Sequence, residues 1–227
     1  MVNTMKVDSV NIGSPQTIQQ GNRAVTTAIL KTPQRERITV GELGLVKDSI
    51  CDDRYHGGPD QAVYLYRHED YEWWQQALGR EIVRGTFGEN LTIAGIPETA
   101  LSIGDVIDFT DLSLQITAPR IPCATFAATM GDTGFLKRFL RAERPGFYCR
   151  VLKQGTIGVD DEGVLVPYAG ASILTTKLYR DLQRKLNSSE LEAYLALPID
   201  IRSRTAFQKS LDALRTDALK VERNVNE

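Results

Sequence analysis

Leu112-Ser113-Leu114-Gln115-Ile116-Thr117-Ala118-Pro119-Arg120-Ile121-Pro122-Cys123 is the stretch from which the rest of the chain is best read. Leu112, Leu114 and Ile116 alternate with polar neighbours, the period of a strand with one buried face. Pro119 and Pro122 then fix the backbone and keep the strand from continuing. The strand therefore hands Cys123 to a rigid loop, where its thiol has a fixed position. Arg120 nearby favours the thiolate, the form that ligates metals or attacks electrophiles. A soft thiolate suits a soft, redox-active metal centre. Taken alone, the same residue is equally consistent with a buried, inert cysteine.

Working outward, the first two thirds of the chain predict many short strands. Val7, Val10 and Ile12 form a β-rich run ending at Gly13, and residues 62–66 (Ala-Val-Tyr-Leu-Tyr) are rich in β-branched and aromatic types. Further strands are expected over residues 90–93, 106–109, 112–118 and 147–152. Two helices interrupt them. One spans residues 68–78, with Tyr71, Trp74 and Leu78 on one face and Gly79 to end it. The other covers residues 133–141, with Phe135, Leu136, Phe139 and Leu140 together, and is stopped by Pro145-Gly146. This pattern predicts a mainly β fold, a barrel or a sandwich with a few helices rather than a doubly wound α/β sheet, over residues 1–169.

After Pro167 the periodicity changes. Leu174, Leu178, Leu182 and Leu186 recur at helical spacing, and Ser189 with Glu192 suits a capping box for a second helix through Leu197. Pro198 breaks that helix, Asp200 can cap a third, and Phe207, Leu211 and Leu214 form its apolar stripe. Residues 170–222 are thus expected to form a three-helix region packed on the barrel, with residues 223–227 frayed.

The 227 residues are 42% hydrophobic and 25% charged with a formal net charge of −2, so no broad basic field for nucleic acid is expected. No apolar run reaches transmembrane length and no signal-peptide core is present, so neither membrane insertion nor export is expected. Cys51, Cys123 and Cys149 form an odd, unpaired set that fits a reducing cytoplasm.

Two other segments carry chemistry-bearing groups. In Asp53-Arg54-Tyr55-His56-Gly57-Gly58-Pro59-Asp60 the paired glycines allow close approach of backbone N–H groups to a ligand, with Arg54 and His56 as added donors. In Gly85-Thr86-Phe87-Gly88-Glu89-Asn90-Leu91-Thr92, Asn90 both donates and accepts. Each segment by itself reads better as a glycine turn with ordinary polar residues. The zinc pairs C-x-x-C and H-E-x-x-H, the G-x-S-x-G elbow, the Walker loop and the dinucleotide fingerprint are all missing. Tyr71, Trp73 and Trp74 fit helix packing better than a cofactor box.

As an ordered set these segments resemble the MOSC-domain family, in particular the hydroxylaminopurine-resistance branch with a C-terminal three-helix region. The resemblance runs through His56-Gly57-Gly58-Pro59-Asp60, Phe87 to Thr92, Ile103-Gly104-Asp105, Pro119-Arg120-x-Pro122-Cys123, Pro145 to Leu152 and Leu195-Ala196-Leu197-Pro198. It implies a β-barrel that binds a molybdopterin-type molybdenum cofactor, with Cys123 as the metal ligand and catalytic residue. Arg54, His56, Gly57, Gly58, Glu89, Asn90 and Arg120 are the cofactor-binding residues it implies. The branch is associated with reducing N-hydroxylated compounds to amines, with electrons from a separate protein such as a flavoprotein. A non-redox carrier of cofactor or persulfide sulfur is the alternative, and a Cys123–His56 thiol hydrolase a third; pyridoxal phosphate is not expected. Gln61, Lys47 and Ala118 depart from the family, where Lys or Arg, Gly, and Gln are frequent.

Overall fold

The structure, a computed structural model, describes residues 4–97 and 101–225, with side chains as far as 220. The strands are β1 (Thr4–Gly13), β2 (Gln16–Gln20), β3 (Arg23–Thr27), β4 (Lys31–Gln34), β5 (Ile38–Gly41), β6 (Gly44–Leu45) and β7 (Val63–Arg67). They continue with β8 (Leu91–Ala94), β9 (Val106–Phe109), β10 (Ser113–Pro119), β11 (Phe147–Lys153), β12 (Gly155–Ile157) and β13 (Glu162–Val166). The helices are α1 (His68–Leu78), α2 (Ala124–Thr129), α3 (Phe135–Ala142), α4 (Thr175–Asp181), α5 (Ser188–Leu195) and α6 (Ile201–Val225).

Strands β13-β9-β10-β11-β7-β8-β1 form one sheet, and pairing of β1 with β13 closes it into a seven-stranded barrel. The β7–β8 pair is parallel, because α1 and the segment after it provide the crossover that a parallel pair needs. The other barrel pairs are antiparallel, so the sheet is mixed, and β4 adds to the outer side of β1. The barrel that the resemblance implies is thus observed, although β13, the strand that closes it, lies in a segment where no strand was expected. Sequence reading misses the β2–β3 hairpin, whose strands QTIQQ and RAVTT are mostly exposed and lack an apolar alternation. It also misses α2, a helix of six residues directly after Cys123.

Alternation in β10 holds as far as Ile116: Leu112, Leu114 and Ile116 are fully buried. It fails at Thr117, also buried, because the register with β11 shifts between Ile116 and Ala118. The bulge turns the Thr117 hydroxyl inward, where its one proton is shared between the carbonyls of Asp60 (2.6 Å) and Tyr148 (3.0 Å). Beyond the bulge Ala118 leaves the barrel interior for a second, aromatic cluster outside it. There Phe87 stacks on Tyr66 at 4.6 Å between ring centroids, with Tyr71, Trp74, Phe126 and Phe139 around them. Each such ring contributes roughly 1.5–3 kcal/mol by burial. Tyr71 and Trp74 are packing residues, whereas Trp73 lies half-exposed under Arg144.

In the C-terminal part, α4 is shorter than the leucine repeat: Leu174 and Leu182 are its caps and Leu186 lies beyond it. The capping box of α5 is Asn187 with Glu190, two residues before the expected pair, since Asn187 Oδ1 accepts the Glu190 N–H at 2.9 Å. Asp200 caps α6 as expected, accepting from the N–H groups of Arg202 and Ser203 at 3.1 Å each. Phe207 and Leu211 are buried, but Leu214 stays 40% exposed. The helix continues through Val225 rather than fraying from residue 223; residues 226 and 227 lie outside the described residues. Leu178, Leu191, Tyr194, Leu197 and Phe207 belong to the same apolar cluster as the barrel interior. Among the described residues no helix is long and apolar enough to cross a membrane.

Candidate functional site

A cavity of about 430 Å³ opens on the barrel, within the range of small-molecule sites. Cys123, His56, Gly57, Asn90 and Arg120 line it, so residues drawn from three separate sequence segments meet there. Cys123 is the N-cap of α2 in extended conformation, as the proline-bounded loop requires. Burial pushes its thiol up, but hydrogen bonding to the His56 ring, the Arg120 charge and the Phe126 N–H outweigh it. The result falls from the ordinary 9.0 to about 7. The other two cysteines differ: Cys149 is fully buried with its thiol pushed up by burial, and Cys51 is exposed.

Arg120 is buried between the rings of Tyr64 and Phe126, 4.9 and 5.1 Å from their centroids. Its Nη1 donates to the Phe87 carbonyl at 2.7 Å, while its Nε has no partner among the described residues. Arg120 thus lines the cavity with a guanidinium that is not fully hydrogen-bonded within the described residues. Gly88 makes room for it: with φ +78, a Cβ there would lie 2.8 Å from Arg120 Nη1.

The floor of the cavity holds a pair that sequence reading misses. Lys31 Nζ sits 2.5 Å from Asp48 Oδ1, and both side chains are 8% exposed. Burial pushes the Lys31 ammonium down, against the opposing pull of Asp48. Asp48 also accepts from the Gly13 N–H at 2.7 Å and from Asn90 Nδ2 at 2.8 Å. Asn90 is therefore spent inside the protein, because its Oδ1 takes the Tyr64 N–H at 3.1 Å. It lines the cavity, but its amide orients Asp48. Lys47 keeps the left-handed turn (φ 73) for which glycine is the easier residue, so that departure leaves the Asp48 loop in place. Gln61 also lines the cavity, with its Oε1 buried and unpartnered among the described residues. Seventeen positions separate Lys31 from Asp48, with no motif around either, so no local signal could have found them.

Three expected residues lie elsewhere. Arg54 points to solvent, its side chain 77% exposed and paired with Asp52 at 3.1 Å. Gly58 does not line the cavity; with φ +83 it caps the short 3-10 turn at Pro59–Gln61. Glu89 is fully buried and does not line the cavity: its Oε1 accepts from the Tyr71 hydroxyl (2.5 Å), the Gly85 N–H (2.8 Å) and the Thr92 hydroxyl (2.8 Å), while its Oε2 has no partner among the described residues. Burial raises its carboxyl, and these donors oppose the rise. Among the described residues no group of three or more His, Cys, Asp or Glu could hold a metal ion.

This arrangement fits a molybdopterin-type group on three observations: the near-neutral thiol, the idle buried Arg120 donor, and the unpartnered Gln61 carbonyl. The family model for the MOSC domain matches residues 52–163, which contain His56, Asn90, Arg120 and Cys123. The chain is 35% identical over 149 residues to the uncharacterized Bacillus subtilis protein YflK, covering 66% of this chain and 67% of that one. It is 30% identical over 159 residues to a protein of Gibberella moniliformis called a reductase, covering 67% of this chain but 28% of that longer one. The solved structure of YiiM from Geobacillus stearothermophilus superposes with a TM-score of 0.75 at 29% identity, covering 91% of this chain and 99% of that one.

Proposed function

The chain belongs to the MOSC domain family, a family associated with the molybdenum cofactor, and from that premise we propose that it binds this cofactor through Cys123 and reduces N-hydroxylated compounds to amines. Hydroxylated base analogues are the substrate class that the branch resemblance favours. The observation that carries the reading is the Cys123 thiol, held on the cavity wall with a pKa near 7. When bound, the cofactor supplies the two electrons that reductive cleavage of an N–O bond needs.

The protein's own residues bind, orient and shield. Cys123 would hold the metal through its thiolate, and the loop between Pro119 and α2 keeps that sulfur in place. Arg120 meets an anionic group such as the cofactor phosphate, because a buried guanidinium without a carboxylate partner gains most from one. The His56 ring hydrogen-bonds the Cys123 sulfur and so favours its thiolate. Gln61 offers a carbonyl to an N–H donor, a role that a Lys or Arg at this position could not fill. The electrons come from a separate donor protein, for which a flavoprotein is the fitting class. The fungal relative called a reductase supports oxidoreductase chemistry in general rather than this substrate.

The direct test is metal analysis of chain produced in cells able to make the cofactor, paired with reduction of a hydroxylaminopurine by an artificial electron donor. Stoichiometric molybdenum that disappears in Cys123→Ala, together with amine formation, supports the reading. Unchanged molybdenum in Cys123→Ala refutes the ligation. A persulfide on Cys123 with no N-reduction would instead identify a sulfur carrier.

A further inference from the structure

Arg202, in the first turn of α6, gathers four backbone carbonyls from one short loop. Its Nη2 donates to Asp53 (2.9 Å) and His56 (3.2 Å), its Nη1 to Gly57 (2.9 Å) and its Nε to Arg54 (3.2 Å). These carbonyls bracket His56, the residue whose ring reaches Cys123. The loop has little else to hold it. Arg54 and Tyr55 are exposed, and among the described residues the backbone bond inside the turn is the one from the His56 N–H to the Asp52 carbonyl at 3.1 Å. Around Arg202 the same two pieces of chain are joined again. Asp60 Oδ2 accepts the Ile201 N–H at 2.8 Å, and Arg150 from β11 bonds Asp60 and the carbonyls of Pro198 and Ile199.

We infer that Arg202 is a positioning residue of the candidate site: its guanidinium fixes the 53–57 loop and thereby sets His56 against Cys123. A guanidinium is the one side chain with enough donors, in a planar fork, to satisfy four carbonyls at once. Without it, the carbonyls return to water and the loop opens locally rather than with the whole fold. The C-terminal helices thus complete a site whose other residues all come from the barrel part of the chain. This inference stands on the loop geometry, and its test needs no bound cofactor, so it can fail independently of the reductase reading.

The test compares Arg202→Ala, Arg202→Lys and Arg204→Ala in the full chain without cofactor. Arg204 is the structural control: it lies two residues on and donates to the Leu195 and Leu197 carbonyls (2.8 and 2.5 Å), within the C-terminal region alone. In Arg202→Ala, amide exchange over residues 53–58 should quicken at least about tenfold while barrel strands keep their protection. Arg202→Lys should recover part of that protection and Arg204→Ala should leave it intact. The chain has two histidines, so the ring resonance of His56 can be followed with His68 as internal reference. It should shift in Arg202→Ala and not in Arg204→Ala. Unchanged loop exchange and an unchanged His56 signal in a folded Arg202→Ala overturn the inference, as do equal effects from Arg204→Ala.

Discussion

Replacing Asp48 by Asn should destabilise this protein more than any surface substitution, because it strands the buried ammonium of Lys31. Lys31 Nζ lies 2.5 Å from each Asp48 oxygen and both side chains are 8% exposed. Breaking a buried pair from one side costs about 3–5 kcal/mol, since the remaining charge is left uncompensated. For a chain of this size each kcal/mol moves Tm by about 2–4 °C, so Asp48→Asn should lower Tm by roughly 6–20 °C. Lys31→Met should cost less, because Gly13 N–H and Asn90 Nδ2 still donate to the carboxylate. The double variant should be more stable than the sum of the single losses predicts, by about 1–3 kcal/mol of coupling. Urea denaturation followed by far-UV circular dichroism on all four proteins measures this cycle. Additive losses, or an Asp48→Asn effect below about 1 kcal/mol, would show that the pair is solvated and the reasoning wrong.

Other outcomes follow from the same geometry. Alkylation of Cys123 by iodoacetamide, resolved by peptide mass spectrometry, should be half-maximal near pH 7, against 9.0 for an ordinary thiol. Because the folded value is depressed, the thiolate's contribution to stability is present above the ordinary value and is lost as pH falls through about 7. His56→Ala should move the midpoint up, and a midpoint that stays put contradicts the His56 contribution. Gly88→Ala should cost at least about 1–2 kcal/mol for its left-handed backbone and should displace Arg120, read as a lower Tm together with lower molybdenum content. Arg54→Ala should change stability by less than about 0.5 kcal/mol and leave metal content unchanged, a result that separates the exposed arginine from the buried one.

The β-rich character of the first two thirds, the two early helices and the stiff loop that carries Cys123 were legible in the sequence because each rests on near neighbours. Alternation at Leu112, Leu114 and Ile116 needs only the pleat of one strand, and two prolines stiffen a loop wherever it is placed. Gly79 ends α1 by its own left-handed conformation. What the tertiary structure alone decided is which polar groups reach the cavity. Arg54, Gly58 and Glu89 sit in the right motifs yet face solvent, a turn and the aromatic cluster, since a motif specifies a segment and not the direction of each side chain. Lys31 on β4 and Asp48 in the loop after β6 find each other through space, and Arg202 reaches back to the His56 loop from nearly 150 positions away. Desolvation and hydrogen bonding act through space, so the near-neutral thiol of Cys123 exists only once the fold has brought His56 and Arg120 to it.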